Sequence, residues 1–109
     1  MEKINLQKQI DYVSREIVYN SFEIIGIKKF IATYHKLHLK ESKRLPAKDQ
    51  KSYMREIKHH IKCRKKEIQA HQKEINLLQS ILNSLKQLEG ILKTNEKLFL
   101  KRKKSTHNK

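Results

Sequence analysis

Residues 39–51 read LKESKRLPAKDQK, and Pro46 is the only proline in the 109-residue sequence. Proline has no N–H to donate and disfavours helix in the residue before it, yet it suits the first turn of a helix that follows. A helix arriving from the N-terminal side should therefore end near residue 41, and a new one can begin near 47. Other breakers are almost missing. There are two glycines, far below the usual share of about 7%, so long uninterrupted elements are expected on both sides of this loop.

Upstream, Leu6, Ile10, Val13, Ile17, Ile24, Ile27, Ile31 and Tyr34 recur at steps of three and four, with Asn20 the one polar intruder. This is the seam of a helix; a strand would alternate with period two. Val18, Phe22, Ile25 and Phe30 lie off the seam and give the same helix a second apolar face. Downstream, Met54, Ile57, Ile61, Arg64, Ile68, His71, Ile75, Leu78, Leu82 and Leu85 form a matching stripe. Beyond Leu78 another reading gains strength through Ile81, Leu85, Leu88, Leu92 and Phe99. That change of register resembles a three-residue stammer.

The expected fold is all-α: a long antiparallel, coiled-coil-like hairpin in a single domain. The spacing predicts a first helix over about 3–40, a loop over about 41–46 and a second helix over about 47–100. Asn83, Ser84 and Gly90 leave room for a bend near 83–90 and a third short C-terminal helix. A basic flexible tail is expected over 101–109. A short loop makes the helices antiparallel neighbours. Folding about residue 44 pairs positions summing to roughly 88, so that Ile24 would meet Arg64 and Ile17 would meet His71. Residues 83–100 then lack a partner, and Leu78, Ile81, Leu85, Leu88, Leu92 and Phe99 are the expected surface for self-association or a protein partner.

Charge is the other dominant signal. Net charge is +15, from 26 Lys and Arg against 11 Asp and Glu. It is distributed unevenly. Residues 1–27 carry a net −1, with three basic and four acidic side chains; residues 28–73 carry +11, with fifteen against four. Residues 74–100 hold three of each, and KRKKSTHNK (101–109) holds five basic side chains and no acid. Such local surplus calls for an anionic partner. The expected phosphate contacts are Lys28, Lys29, Lys36, Lys40, Lys43 and Arg44 on the first helix and loop. On the second helix they are Lys51, Lys58, Lys62, Arg64, Lys65 and Lys66, and on the tail Lys101, Arg102, Lys103 and Lys104. Few aromatic residues lie near the tip (Tyr34 and Tyr53), which argues for gripping the backbone rather than stacking on single-stranded bases.

The stretch REIKHHIKCRKKEI (55–68) tests the catalytic alternatives. His59 and Cys63, four residues apart, share a helix face, but a tetrahedral metal site needs more ligands, so no metal or cofactor is expected. Arg55 and His60 form R-x4-H, which is similar to the ribonuclease motif of the HEPN helical family. The resemblance implies an arginine and a histidine acting on RNA at a dimer interface. It covers six residues, and that family's four-helix pattern is not evident in this sequence. No Gly-rich phosphate loop, nucleophile elbow, paired acidic cluster or HExxH occurs, so the expectation is a non-enzymatic basic helix. Cys63 has no second cysteine to pair with, which suits a reducing compartment, cytoplasmic or, in a eukaryote, nuclear. No secretory leader or membrane span is expected.

Overall fold

The computed structural model describes the backbone of residues 5–107 and the side chains of residues 5–101. Two helices account for it: α1 from Leu6 to Ser42 and α2 from Ala47 to His107. At about 1.5 Å per residue they are roughly 55 and 90 Å long. The molecule measures 95 × 22 × 15 Å, and its radius of gyration is 25.8 Å. A globular chain of this length would have about 13 Å. It is a rod.

Each helix end has an identifiable cause. Asn5 caps α1, its Oδ1 accepting from the Lys8 amide at 3.1 Å. Asn5→Ala should lower the stability of the hairpin by about 1 kcal/mol, read as a lower melting midpoint. At the other end Ser42 is buried and donates from Oγ to the Leu39 carbonyl at 2.8 Å. The Arg44 and Leu45 amides reach back to the Glu41 and Ser42 carbonyls at 3.1 and 3.2 Å. The Pro46 carbonyl then accepts from the Asp49 amide at 2.9 Å, opening α2 with an acid in its first turn, where the helix dipole favours one. No residue of the turn needs a positive φ, which fits a turn built without glycine.

The hairpin is thinly cored. Among the described residues, Ile10, Val13 and Ile24 of α1 and Ile57, Ile75 and Leu78 of α2 are the buried apolar side chains, with Ile57 the most enclosed at 2% exposure. Between them sits a polar pair. Asn20 is buried, donates from Nδ2 to the Glu16 carbonyl at 2.8 Å, and places Oδ1 2.7 Å from Nδ1 of His71. An amide oxygen only accepts, so His71 carries its hydrogen on Nδ1.

That pair fixes the register and corrects the expected one. Asn20 with His71, and His38 with Tyr53 at 2.5 Å, both sum to 91, about three residues beyond the anticipated 88. Ile17 therefore does not face His71. Asn20 and His71, a polar residue from each seam, face each other, since a buried polar group needs a partner more than the loop needs symmetry.

The third helix is also absent among the described residues. α2 runs through Asn83, Ser84 and Gly90 without interruption. One glycine inside a helix costs only about 1 kcal/mol relative to alanine. The Ser84 and Thr94 hydroxyls donate to carbonyls four residues back, at 3.2 and 2.9 Å, which accommodates them within the helix. The helix continues over residues 101–107, where the sequence pointed to a tail. By the register of 91, Leu6 lies level with Leu85. Residues 86–107 consequently extend past α1 by roughly 33 Å. Among the described residues, no helix is long and apolar enough to cross a membrane.

Candidate nucleic-acid interface

Lys48, Lys51, Arg55, Lys58, Lys62 and Lys65 follow one another at steps of 3, 4, 3, 4 and 3. On a helix that spacing forms a single ridge, with a cation about every 5 Å. All six are exposed. Among the described residues, none of them has an acidic side chain within ion-pair distance; the ion pairs there are Arg44–Glu41, Arg64–Glu67 and Lys93–Glu89. The ridge runs along the flank and outside of α2, where α1 does not cover it.

The hairpin tip has two unlike broad sides. On one, His35 of α1 joins Lys58, Ile61, Lys62 and Lys65 around a shallow groove of about 320 Å³. Lys28 lies seven residues before His35 and shares its face of α1. On the other side, Phe30, Ile31, Tyr34, His60, Ile61 and Arg64 enclose a cleft of about 200 Å³. Phe30 and Tyr34 stack with centroids 5.5 Å apart, and Tyr34 and His38 approach to 4.2 Å. Across the seam, His60 stands edge-on to Tyr34 at 6.2 Å, and the Arg64 guanidinium lies 5.5 Å from the Phe30 centroid.

The anticipated phosphate ligands therefore divide by position. Lys51, Lys58, Lys62 and Lys65 belong to the ridge, and Lys66 stands exposed beside it. Lys29, Lys36 and Lys40 are exposed on the outward face of α1, where Lys36, Lys40 and Lys43 line a separate groove. Arg44 is an exposed loop residue 3.9 Å from Glu41. Arg64 differs from the rest, since it pairs with Glu67 at 2.7 Å and caps Phe30 on the aromatic side. Its stripe position, in the seam with Ile61 and Ile68, already pointed that way. Lys101 is exposed near the far end of α2, roughly 50 Å or more from the ridge. The side chains of Arg102, Lys103 and Lys104 lie outside the described residues.

Two elements escaped sequence reasoning. Lys48 and Arg55 complete the ridge, and spacing rather than local charge density would have found them. Phe30, Tyr34 and His38, at i, i+4 and i+8, form a ring ladder that counting only Tyr34 and Tyr53 overlooks. The chain matches no family model, no curated protein and no solved structure.

The remaining chemistry of the tip is modest. His59 Nε2 and Cys63 Sγ are 3.8 Å apart, and among the described residues no group of three or more His, Cys, Asp or Glu could hold a metal ion. Arg55 and His60 of the R-x4-H spacing occupy different faces. Arg55 stands on the ridge, and His60 turns to Tyr34 on the aromatic side. Partial desolvation pushes the Tyr53 hydroxyl above its ordinary range, and the nearby Glu41 carboxylate adds to the effect. Raising a folded-state pKa stabilises the protonated form. That contribution is complete below the unfolded tyrosine range and disappears as pH rises through the folded value.

Proposed function

We propose that the protein is a non-catalytic nucleic-acid-binding component of a nucleoprotein assembly that grips phosphates through the α2 ridge. The observation supporting this is six exposed cations in one row without acidic partners among the described residues. Lysine and arginine rows bind the phosphate backbone without reading sequence, and binding releases condensed counterions. The rod as a whole is 22 and 15 Å across in its two short dimensions. The B-DNA major groove is about 12 Å wide. The ridge therefore tracks a backbone, with Lys28 and His35 flanking it and the basic C-terminal segment adding a second contact. Such a partner suits a cytoplasmic location, or a nuclear one in a eukaryote.

Equilibrium binding to RNA and DNA duplexes and single strands over a salt series tests the reading. At about 0.9 per neutralised phosphate, the ridge should give a log–log slope near −5, with affinity of micromolar order or tighter at physiological salt. Binding confined to very low salt would refute it.

A second reading is supported by the outward face of α1. Tyr12, Val18, Tyr19, Phe22 and Ile25 are 47–67% exposed, more than a two-stranded hairpin requires. A coiled-coil scaffold or assembly subunit that binds an acidic protein partner would use this face together with the stripe at 78–99. Its binding would persist at salt concentrations that abolish phosphate contacts.

A further inference from the structure

Past Leu85, α2 has no intramolecular neighbour among the described residues, yet its apolar stripe continues. Leu78, Ile81, Leu85, Leu88, Leu92, Asn95 and Phe99 follow the alternating 3, 4 spacing of a heptad seam. Leu88, Leu92 and Phe99 are 45%, 49% and 65% exposed. A seam of this kind packs against another seam of the same period. Among the described residues, the α1 and α2 seams that make the hairpin are already engaged, and the outward apolar face of α1 is a separate surface alongside the hairpin.

We infer that the overhang pairs with the overhang of a second copy in antiparallel orientation, centred near Gly90. The charge layout selects both the occupant and the direction. The seam itself, residues 78–99, holds three basic and two acidic side chains, so it can meet its own copy with little net repulsion; the basic run 101–104 lies beyond it. Parallel pairing would set two tips of +11 side by side. Antiparallel pairing separates them by about 140 Å at 1.5 Å per residue, far beyond a Debye length of about 8 Å.

Centring on residue 90 stacks Ile81 on Phe99, Leu88 on Leu92, and Leu85 on Asn95. All are layers of the interdigitating kind a heptad supplies. The same alignment carries Lys97 and Lys101 alongside the start of the second copy's α1. Asp11 and Glu16 lie there, interspersed with Lys8 and Arg15. This inference does not depend on what the tips bind.

Mass and shape of the 109-residue chain test it together. Light scattering across roughly 1–200 μM should carry the mass from 13.1 kDa to twice that. Small-angle scattering of the dimer should give a maximum dimension of about 140 Å instead of 95 Å. Cys63 is the sole cysteine and is exposed, so donor and acceptor dyes can be attached there directly. Antiparallel pairing holds the two labels about 80 Å apart and gives little energy transfer; parallel pairing brings them within about 20 Å. The Leu88→Asp, Leu92→Asp variant alters only the overhang. It should stay monomeric at every concentration, with the hairpin's thermal transition unchanged. Asn95→Leu should tighten the dimer at least tenfold. A mass that stays at one chain throughout would overturn the inference, and so would a dimer with strong transfer between the Cys63 labels.

Discussion

Reversing three charges on the ridge (Lys58→Glu, Lys62→Glu, Lys65→Glu) should weaken nucleic-acid binding by about 100- to 1,000-fold at physiological salt. With a slope of about −0.9 per phosphate, each contact is worth roughly a factor of five near 0.15 M. Losing three removes about two orders of magnitude, and the repulsion of three new carboxylates adds to that. The log–log slope should fall by about three units. The fold should be untouched, because these side chains are exposed and make no ion pair among the described residues. Circular dichroism and the melting midpoint verify that. Lys86→Glu with Lys93→Glu, on α2 beyond the tip, is the control for bulk charge. If it weakens binding as much as the triple variant does, net charge rather than the ridge holds the ligand.

Asn20→Leu should destabilise the hairpin by about 2 kcal/mol, because it leaves the part-buried His71 Nδ1–H without an acceptor. For so small a fold this is a midpoint shift of about 10 °C. His71→Leu should cost a similar amount for the complementary reason. The double Leu variant should recover most of the loss, since an apolar layer replaces both partners. A double-mutant cycle that gives additive losses would mean the pair does not interact in solution. The double variant should, however, lose specificity of alignment. A single polar layer in an apolar seam fixes register at the expense of stability. In a Cys63→Ser background, a Leu6→Cys, Leu85→Cys disulfide should form readily with the Asn20–His71 pair present and less completely once both are leucine.

This same pair marks the limit of what the sequence discloses. Pro46 and the 3, 4 spacings were enough to place two antiparallel helices, and their loop to within two residues. The alignment was not legible. In the sequence Asn20 reads as a lone polar intruder and His71 as an interruption facing Ile17, when each is the reason for the other. Nor was the continuity of α2: Gly90 resembles a break, but nothing nearby supplies a second turn signal. At the tip, the lysines were legible as a surplus but not as a ridge. A count of charge carries no phase, whereas the phase of Lys48 through Lys65 separates them from Arg64. The ring ladder was hidden because histidine is left out of the count of aromatic residues and acts here as one.

The far end of α2 has a consequence in helix–coil terms. An isolated helix of about 20 residues is marginal in water, and Gly90 costs this one a further 1 kcal/mol or so. Residues 86–107 draw no cohesion from α1, so their helicity is the first to be lost on warming. Amide hydrogen exchange should accordingly be graded along one continuous element, slow beside Ile57 and Ile75 and fast beyond Leu88. Whatever docks on the overhang completes its folding as it binds, and the rise in protection there reports the docking residue by residue.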